Sequence, residues 1–229
     1  MDDVLVLRYF QFMVEDEIAL SQEKEYDTHE NVLSHTTEIV SHQEETQKST
    51  YEERIHWALN KPEQITKQEG TTLAKQRQHA QDREKEWGNR MIGQKNNGQW
   101  TTLLGENLVR EYLEKHGQHP RRPERKSGFA PDWETDDYIW EVKTSNWWVS
   151  GTAGEKVLGT WIKYQDIPIL YAKPLKIVCV AYQEYELTHG KVKYFGDKVT
   201  DKTKQILDIA KSWNIEYVRF SDLVSSKEV

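Results

Sequence analysis

The stretch Tyr138-Ile139-Trp140-Glu141-Val142-Lys143-Thr144 constrains this chain more than any other. Its β-branched and aromatic residues predict a strand. Side chains alternate faces along a strand, so Glu141 and Lys143 point one way and Val142 the other. A strand flanked by Trp140 and Val142 is expected to be mostly buried, and a carboxylate and an ammonium placed there need a reason. Asp136-Asp137 reads as a two-residue turn that folds Pro131-Asp132-Trp133-Glu134-Thr135 back alongside the strand. Asp132 then approaches Glu141, and two carboxylates and one ammonium converge.

That set suits a particular chemistry. Two oxygen-donor carboxylates with open coordination positions fit Mg²⁺, with Mn²⁺ able to substitute, and the backbone carbonyl of Val142 can add an oxygen. Such an ion polarises a phosphate and acidifies a water. Lys143, two residues past Glu141, can orient that water or stabilise developing negative charge. These are the needs of a phosphodiester hydrolase. The plainer alternative is a surface hairpin with an ordinary Glu–Lys pair. Glu134, Asp136 and Asp137 are weaker ligand candidates, since turn acids are usually solvated.

The expected architecture is α/β: a mixed central sheet flanked by helices, with an N-terminal helical subdomain. Two regions are read, an acidic arm with a polar helical subdomain over 1–98 and a core over 99–229. Val4 to Leu20 can be helix or strand. Residues 21–50 are polar, without Gly or Pro, and hold His29, His35 and His42 at spacings unlike a helical metal pair. Tyr51 to Leu59 reads as a short helix. Gln64 to Trp87 reads as largely helical, with Gly88, Gly93 and Gly98 as breakers. In the core, Thr101 and Thr102 offer an N-cap to a helix carrying Leu103, Leu104, Leu108, Val109, Tyr112 and Leu113, and Gly117 stops it. After the hairpin come a helix from Gly154 to about Tyr164, a buried strand over Lys176–Tyr182, a short strand over Val192–Phe195, a helix over Thr203–Trp213 and a last strand over Glu216–Phe220.

Charge distribution matters more than the net value of -7. Residues 1–50 carry 12 acidic and 3 basic side chains, whereas residues 51–130 carry 11 acidic and 15 basic. The middle of the chain can therefore meet a polyanion. Arg121, Arg122, Arg125 and Lys126 form the densest basic cluster and are candidates for phosphate contact or base reading. Lys156 and Lys163, seven apart on the following helix, can touch a phosphate backbone or lie on a solvated face. Trp147 and Trp148 are core or DNA-facing. Lys75, Arg77, Arg83, Lys85, Arg90 and Lys95 can embrace DNA or form a dimer contact, and His79 and His116 read as surface residues. With mean hydropathy -0.87 and no long apolar run, no transmembrane helix is expected. Asp2 and Asp3 stand where a signal peptide would carry basic residues. The single cysteine, Cys179, rules out a disulfide framework within one chain. The expected compartment is cytoplasmic.

The pattern Pro131-Asp132, eight residues, Glu141-Val142-Lys143 resembles the PD-(D/E)xK nuclease superfamily. That family places an acidic residue on a helix before the hairpin, near the metal. Glu106, in Gly105-Glu106-Asn107-Leu108-Val109, occupies the matching position. The run Gly151 to Gly159, with Trp161-Ile162-Lys163-Tyr164 and Pro174-Leu175-Lys176-Ile177-Val178, is similar to a segment that follows the motif in type II restriction endonucleases. The likeness covers about residues 100–185, and residues 1–100 resemble nothing recognisable. It implies a sequence-specific endonuclease on double-stranded DNA. Glu106, Asp132 and Glu141 would handle the metal, Lys143 would assist the water, and a homodimer would cut both strands. Three rivals stand beside it: a repair or junction-resolving nuclease with the same core, a catalytically inactive DNA-binding module, and an acidic interaction protein.

Overall fold

The computed structural model describes residues 50–66, 70–148 and 155–226, the backbone alone for Glu155 and Lys156. The expectations for Val4–Leu20, for the polar arm and for His29, His35 and His42 lie outside the described residues. Residues from Thr50 onward form one compact unit, so the segment 50–98, expected to belong to a separate subdomain, is built into the same body as the core. The reason is apolar: Ala58 is buried in one cluster with Leu108, Leu113 and Trp140, and Tyr51, Ile55 and Trp57 pack against it.

Three helices open the described chain. α1 spans residues 50–59, α2 Leu73–Met91 and α3 Trp100–Lys115. Arg54 of α1 makes two hydrogen bonds to Glu111 of α3, at 2.9 and 2.7 Å. The helix expected from Gln64 starts later, at Leu73, because Thr72 caps it by accepting from the Lys75 N–H at 3.3 Å. It also runs through Gly88, expected to break it. A Cβ there would stand 2.0 Å from the Trp100 ring, so this glycine serves helix–helix approach. α3 begins one residue before Thr101, with Gln99 at the N-cap position.

The sheet has four strands in the order β1-β2-β3-β4: β1 Trp133–Glu134, β2 Ile139–Ser145, β3 Leu175–Ala181 and β4 Ile215–Arg219. β1 is antiparallel to β2, with Trp133 opposite Trp140. β2, β3 and β4 are parallel, with Glu141 opposite Ile177 and Lys143 opposite Cys179. The sheet is mixed and flanked by helices, as expected. The Thr135 N–H donates to the Tyr138 carbonyl at 2.9 Å, closing the turn at Asp136-Asp137.

Period-two alternation divides the core into two layers. Trp140, Val142, Val178 and Val180 meet Leu108, Val109, Tyr112 and Leu113 of α3 on one face. Ile139, Ile177 and Cys179 lie on the other with Tyr164, Ile167, Tyr171 and Tyr217. Parallel strands require crossovers, here α4 Glu155–Leu158, α5 Thr160–Lys163 and α6 Ile167–Tyr171, then α7 Tyr182–His189 and α8 Asp201–Ser212. α9, Phe220–Ser225, follows β4.

Two local expectations are corrected. The helix expected from Gly154 to Tyr164 is two short helices separated at Gly159. Val192–Phe195 is no strand: the Tyr194 and Phe195 N–H groups both donate to the Leu187 carbonyl, at 2.8 and 3.2 Å, which ties the segment to α7 rather than to a sheet edge. The buried Tyr194 ring meets Tyr217 edge-on at 4.8 Å, so its apolar pattern reports side-chain burial alone. Among the described residues, no helix is long and apolar enough to cross a membrane.

Candidate functional site

The end of β1 shapes the site. Asp132 donates its backbone N–H to the Trp140 carbonyl at 3.1 Å, and its Oδ2 accepts the Val142 N–H at 2.6 Å. The carboxylate thus satisfies the edge of β2 where β1 has ended. The N–H and C=O of one strand residue point to the same edge, so the Val142 carbonyl faces the same side as Asp132.

Glu106 arrives from α3. Its backbone carbonyl accepts from the Trp133 indole N–H at 3.0 Å, which locks the hairpin to the helix. One residue earlier, Gly105 permits close approach to β2: a Cβ there would lie 1.8 Å from the Thr144 hydroxyl oxygen. Glu141 is 3% exposed; its Oε1 is ion-paired with Lys143, and its Oε2 is buried with no hydrogen-bond partner. An unpartnered buried carboxylate oxygen is costly unless a cation or a donor completes it.

The electrostatics agree. Burial, then the charges of Glu141 and Glu106, push Asp132 up to about 8, against the opposing pull of the Val142 N–H and Lys143. Several carboxylates held in one poorly solvated place lack positive charge. Among the described residues, no group of three or more His, Cys, Asp or Glu side chains is arranged to hold a metal ion by itself. Asp132, Glu141 and the Val142 carbonyl are nevertheless hard oxygen donors, the kind that binds Mg²⁺ while water or phosphate fills the remaining positions. The orphaned Glu141 Oε2 is the observation that fits them to such an ion.

Two further side chains complete the surroundings. Arg122 Nη2 donates to Glu106 Oε2 at 2.5 Å and Nη1 to the Asp132 carbonyl at 2.9 Å, and its guanidinium lies 4.0 Å from the centre of the Trp133 ring. Tyr164, at the C-terminal end of α5, is buried. Desolvation, followed by the charge of Glu141, the approach of the hydroxyl to the Glu141 carboxylate and the charge of Asp132, raises its pKa, so its hydroxyl stays protonated and able to donate. Its Oη also accepts from Lys163 Nζ at 3.3 Å. Sequence reasoning missed Tyr164; its place directly after Lys163, in the segment singled out beyond the motif, was the available signal.

The four cations of the loop before the hairpin have different surroundings. Arg121 pairs with Glu134 at 3.0 Å and Asp136 at 3.3 Å. Lys126 donates to the Leu170 carbonyl at 3.1 Å and sits over the Tyr171 ring at 4.6 Å. Arg122 is bound to the acidic site. Arg125 is exposed, with no partner among the described residues. Glu134 is held by Lys173 at 2.7 Å and Asp136 by Arg121, so these acids are engaged outside the cluster. Lys163 stands beside the site, whereas the Lys156 side chain lies outside the described residues.

A DNA-facing role for Trp147 is corrected. The ring is 8% exposed, donates its indole N–H to the Trp57 carbonyl at 2.8 Å, and meets Tyr182 and Tyr185 edge-on. Burying that large ring is what docks α1 against the sheet. Trp148 is half-buried and lines a cleft of about 580 Å³ with His79 and Arg83. Of the polar-segment cations, Lys75, Arg77, Arg83, Arg90 and Lys95 are exposed and Lys85 is half-buried; His79 and His116 are exposed. Comparison with known families, curated proteins and solved structures finds no match for this chain.

Proposed function

We propose that this chain is a Mg²⁺-dependent DNA endonuclease of the PD-(D/E)xK type that hydrolyses phosphodiester bonds. The observation that carries the reading is the convergence of Asp132, Glu141 and Glu106 beside Lys143, with one Glu141 oxygen buried and unpartnered. A solvated surface hairpin would leave Glu141 open to water, whereas its side chain is buried with one oxygen unpartnered.

Asp132 and Glu141, with the Val142 carbonyl, would hold the ion. When bound, it supplies Lewis-acid charge at the scissile phosphate and acidifies water. Lys143, kept in place by Glu141, presents an ammonium to the attacking water or to the charge developing on phosphate. Tyr164 offers a protonated hydroxyl on the same side. Trp133 and Gly105 hold the hairpin and α3 in register, so Glu106 stays beside the pair. Sequence-specific cutting of both strands, in the manner of a restriction enzyme, is the finer reading. It calls for two such sites, which a symmetric homodimer supplies.

A plasmid digest tests this. Purified protein with Mg²⁺ should nick or linearise supercoiled DNA, chelation should stop it, and Mn²⁺ should substitute. Discrete fragments support the restriction reading. Cutting confined to branched substrates supports a repair or junction-resolving nuclease. DNA binding without any Mg²⁺- or Mn²⁺-dependent cutting would overturn the enzyme reading in favour of a binding module.

A further inference from the structure

Arg122 occupies an unusual position. It comes from the basic loop that sequence reasoning assigned to DNA, yet its guanidinium is turned inward onto the acidic cluster. Nη2 reaches Glu106 Oε2 at 2.5 Å, Nη1 reaches the Asp132 carbonyl at 2.9 Å and stands 4.0 Å from Asp132 Oδ1. The face of the guanidinium rests on the Trp133 ring, a fixed platform because the Trp133 N–H is itself bonded to the Glu106 carbonyl. The side chain is nevertheless 54% exposed, so it can leave without opening the core. A planar guanidinium is suited to exchange a carboxylate partner for a phosphate, since it presents the same fork of donors to both.

We propose that Arg122 is the resting counter-ion of the acidic cluster, that a divalent cation competes with it for Glu106 and Asp132, and that cation loading frees the guanidinium to take a DNA phosphate beside the site. This rests on the proposed metal-dependent function. The physical reason is charge. The cluster needs positive charge, Arg122 supplies one unit of it, and a divalent ion arriving next to the same carboxylates repels the guanidinium at short range. The released arginine then meets a phosphate drawn to the same ion. Metal binding and DNA binding are thereby coupled through one side chain, and the coupling is reciprocal. Arg122 is a positioning residue in this scheme, acting through Glu106 and Asp132 until it is displaced.

Binding measurements on the full chain test this without relying on turnover. Mn²⁺ affinity is measured by calorimetry for the parent, Arg122→Gln and Asp132→Asn. DNA affinity is measured for the parent and Arg122→Gln in Ca²⁺ and in EDTA. Glutamine keeps a polar side chain while removing the charge, and thermal melts of each protein report whether it is folded. Removing the competing charge should tighten Mn²⁺ binding by about tenfold. Arg122→Gln should weaken DNA binding in Ca²⁺ and reduce the salt slope by about one, while leaving binding in EDTA unchanged. Mn²⁺ affinity that is equal or weaker in Arg122→Gln overturns the competition. An equal loss of DNA affinity with and without Ca²⁺ overturns the release, since Arg122 would then contact phosphate at all times. No Mn²⁺ binding in a folded parent, or undiminished binding in Asp132→Asn, instead sinks the metal-site reading beneath both. If Arg122→Gln does not fold, Arg122→Lys keeps the charge without the fork, so its Mn²⁺ affinity should stay near the parent's while its DNA binding in Ca²⁺ weakens; DNA binding in Ca²⁺ equal to the parent's would overturn the proposal.

Discussion

Gly105→Ala separates two effects of opposite sign. Position 105 is in the middle of α3, where alanine is favoured over glycine by about 1 kcal/mol on propensity alone. Tertiary packing opposes it. The new Cβ would lie 1.8 Å from Thr144 Oγ1, 2.8 Å from Thr144 Cβ and 3.1 Å from Thr144 Cγ2. Rotating χ1 of Thr144 can relieve the oxygen but not its own Cβ, so α3 and β2 must move apart by roughly half an ångström. Overpacking of this kind costs about 1–3 kcal/mol, and three short contacts on a stiff β-branched residue belong at or beyond the upper end. A net loss of about 2 kcal/mol is expected, read as a fall in Tm of roughly 4–8 °C for a chain of this size. Thr144→Ala removes two of the three clashing atoms and breaks no hydrogen bond found here, because Thr144 Oγ1 is buried without a partner. The double variant should recover at least about 1 kcal/mol of coupling energy. Urea melts of the four proteins measure it. Gly105→Ala as stable as the parent, or additive with Thr144→Ala, would refute the account of α3–β2 approach. Glu106 is the next residue, so the same separation should lower any nuclease activity.

Substitutions at three further positions test the site and the core. Asp132→Asn should lower DNA cleavage by at least about a thousandfold while DNA binding persists. In metal-free buffer its stability advantage over the parent should grow between pH 5 and pH 8. A carboxyl held at about 8 when folded, against its ordinary 3.8, favours the fold most below pH 3.8 and loses that contribution as pH rises through 8, whereas asparagine is neutral throughout; a pH-independent gap in urea melts would refute the electrostatic origin. Lys143→Ala should be as inactive as Asp132→Asn, and Lys143→Arg also poor, because the wider guanidinium does not replace a compact ammonium in the ion pair with Glu141; parent-like cleavage by the arginine variant would reduce Lys143 to a counter-charge. Trp147→Ala should cost about 3–5 kcal/mol of stability, with DNA affinity of the folded fraction unchanged, as measured by melts and by titration at low temperature; the opposite pattern would restore a DNA-facing role.

The sequence by itself determined the features that depend on local periodicity. Alternation along Tyr138–Thr144 placed Glu141 and Lys143 on one face. The turn at Asp136-Asp137 brought Asp132 alongside, and helical spacing from Leu103 to Leu113 defined the helix that buries Leu104, Leu108, Val109 and Leu113. It also pointed to Glu106 through a family resemblance, and the fold sets that side chain on Arg122, which in turn binds the Asp132 carbonyl. The periodic features rest on neighbours within a few residues, and backbone geometry repeats at that range. Tertiary structure decided what depends on residues far apart in the chain. Gly88 read as a helix break and Gly105 carried no reading of its own; only the fold set Trp100 and Thr144 in the space a Cβ would need. Trp147 and Trp148 were equivalent in sequence, and only the Trp57 carbonyl and the tyrosines of α7 drew the first into the core. Val192–Phe195 has a strand-like pattern, but its N–H groups found the Leu187 carbonyl instead of a sheet edge. Arg121, Arg122, Arg125 and Lys126 formed one basic cluster in sequence; Glu134, Glu106 and the Leu170 carbonyl gave three of them separate attachments. A charge run specifies that positive charge is present, whereas its partner is set by which distant acid or carbonyl the fold carries to it.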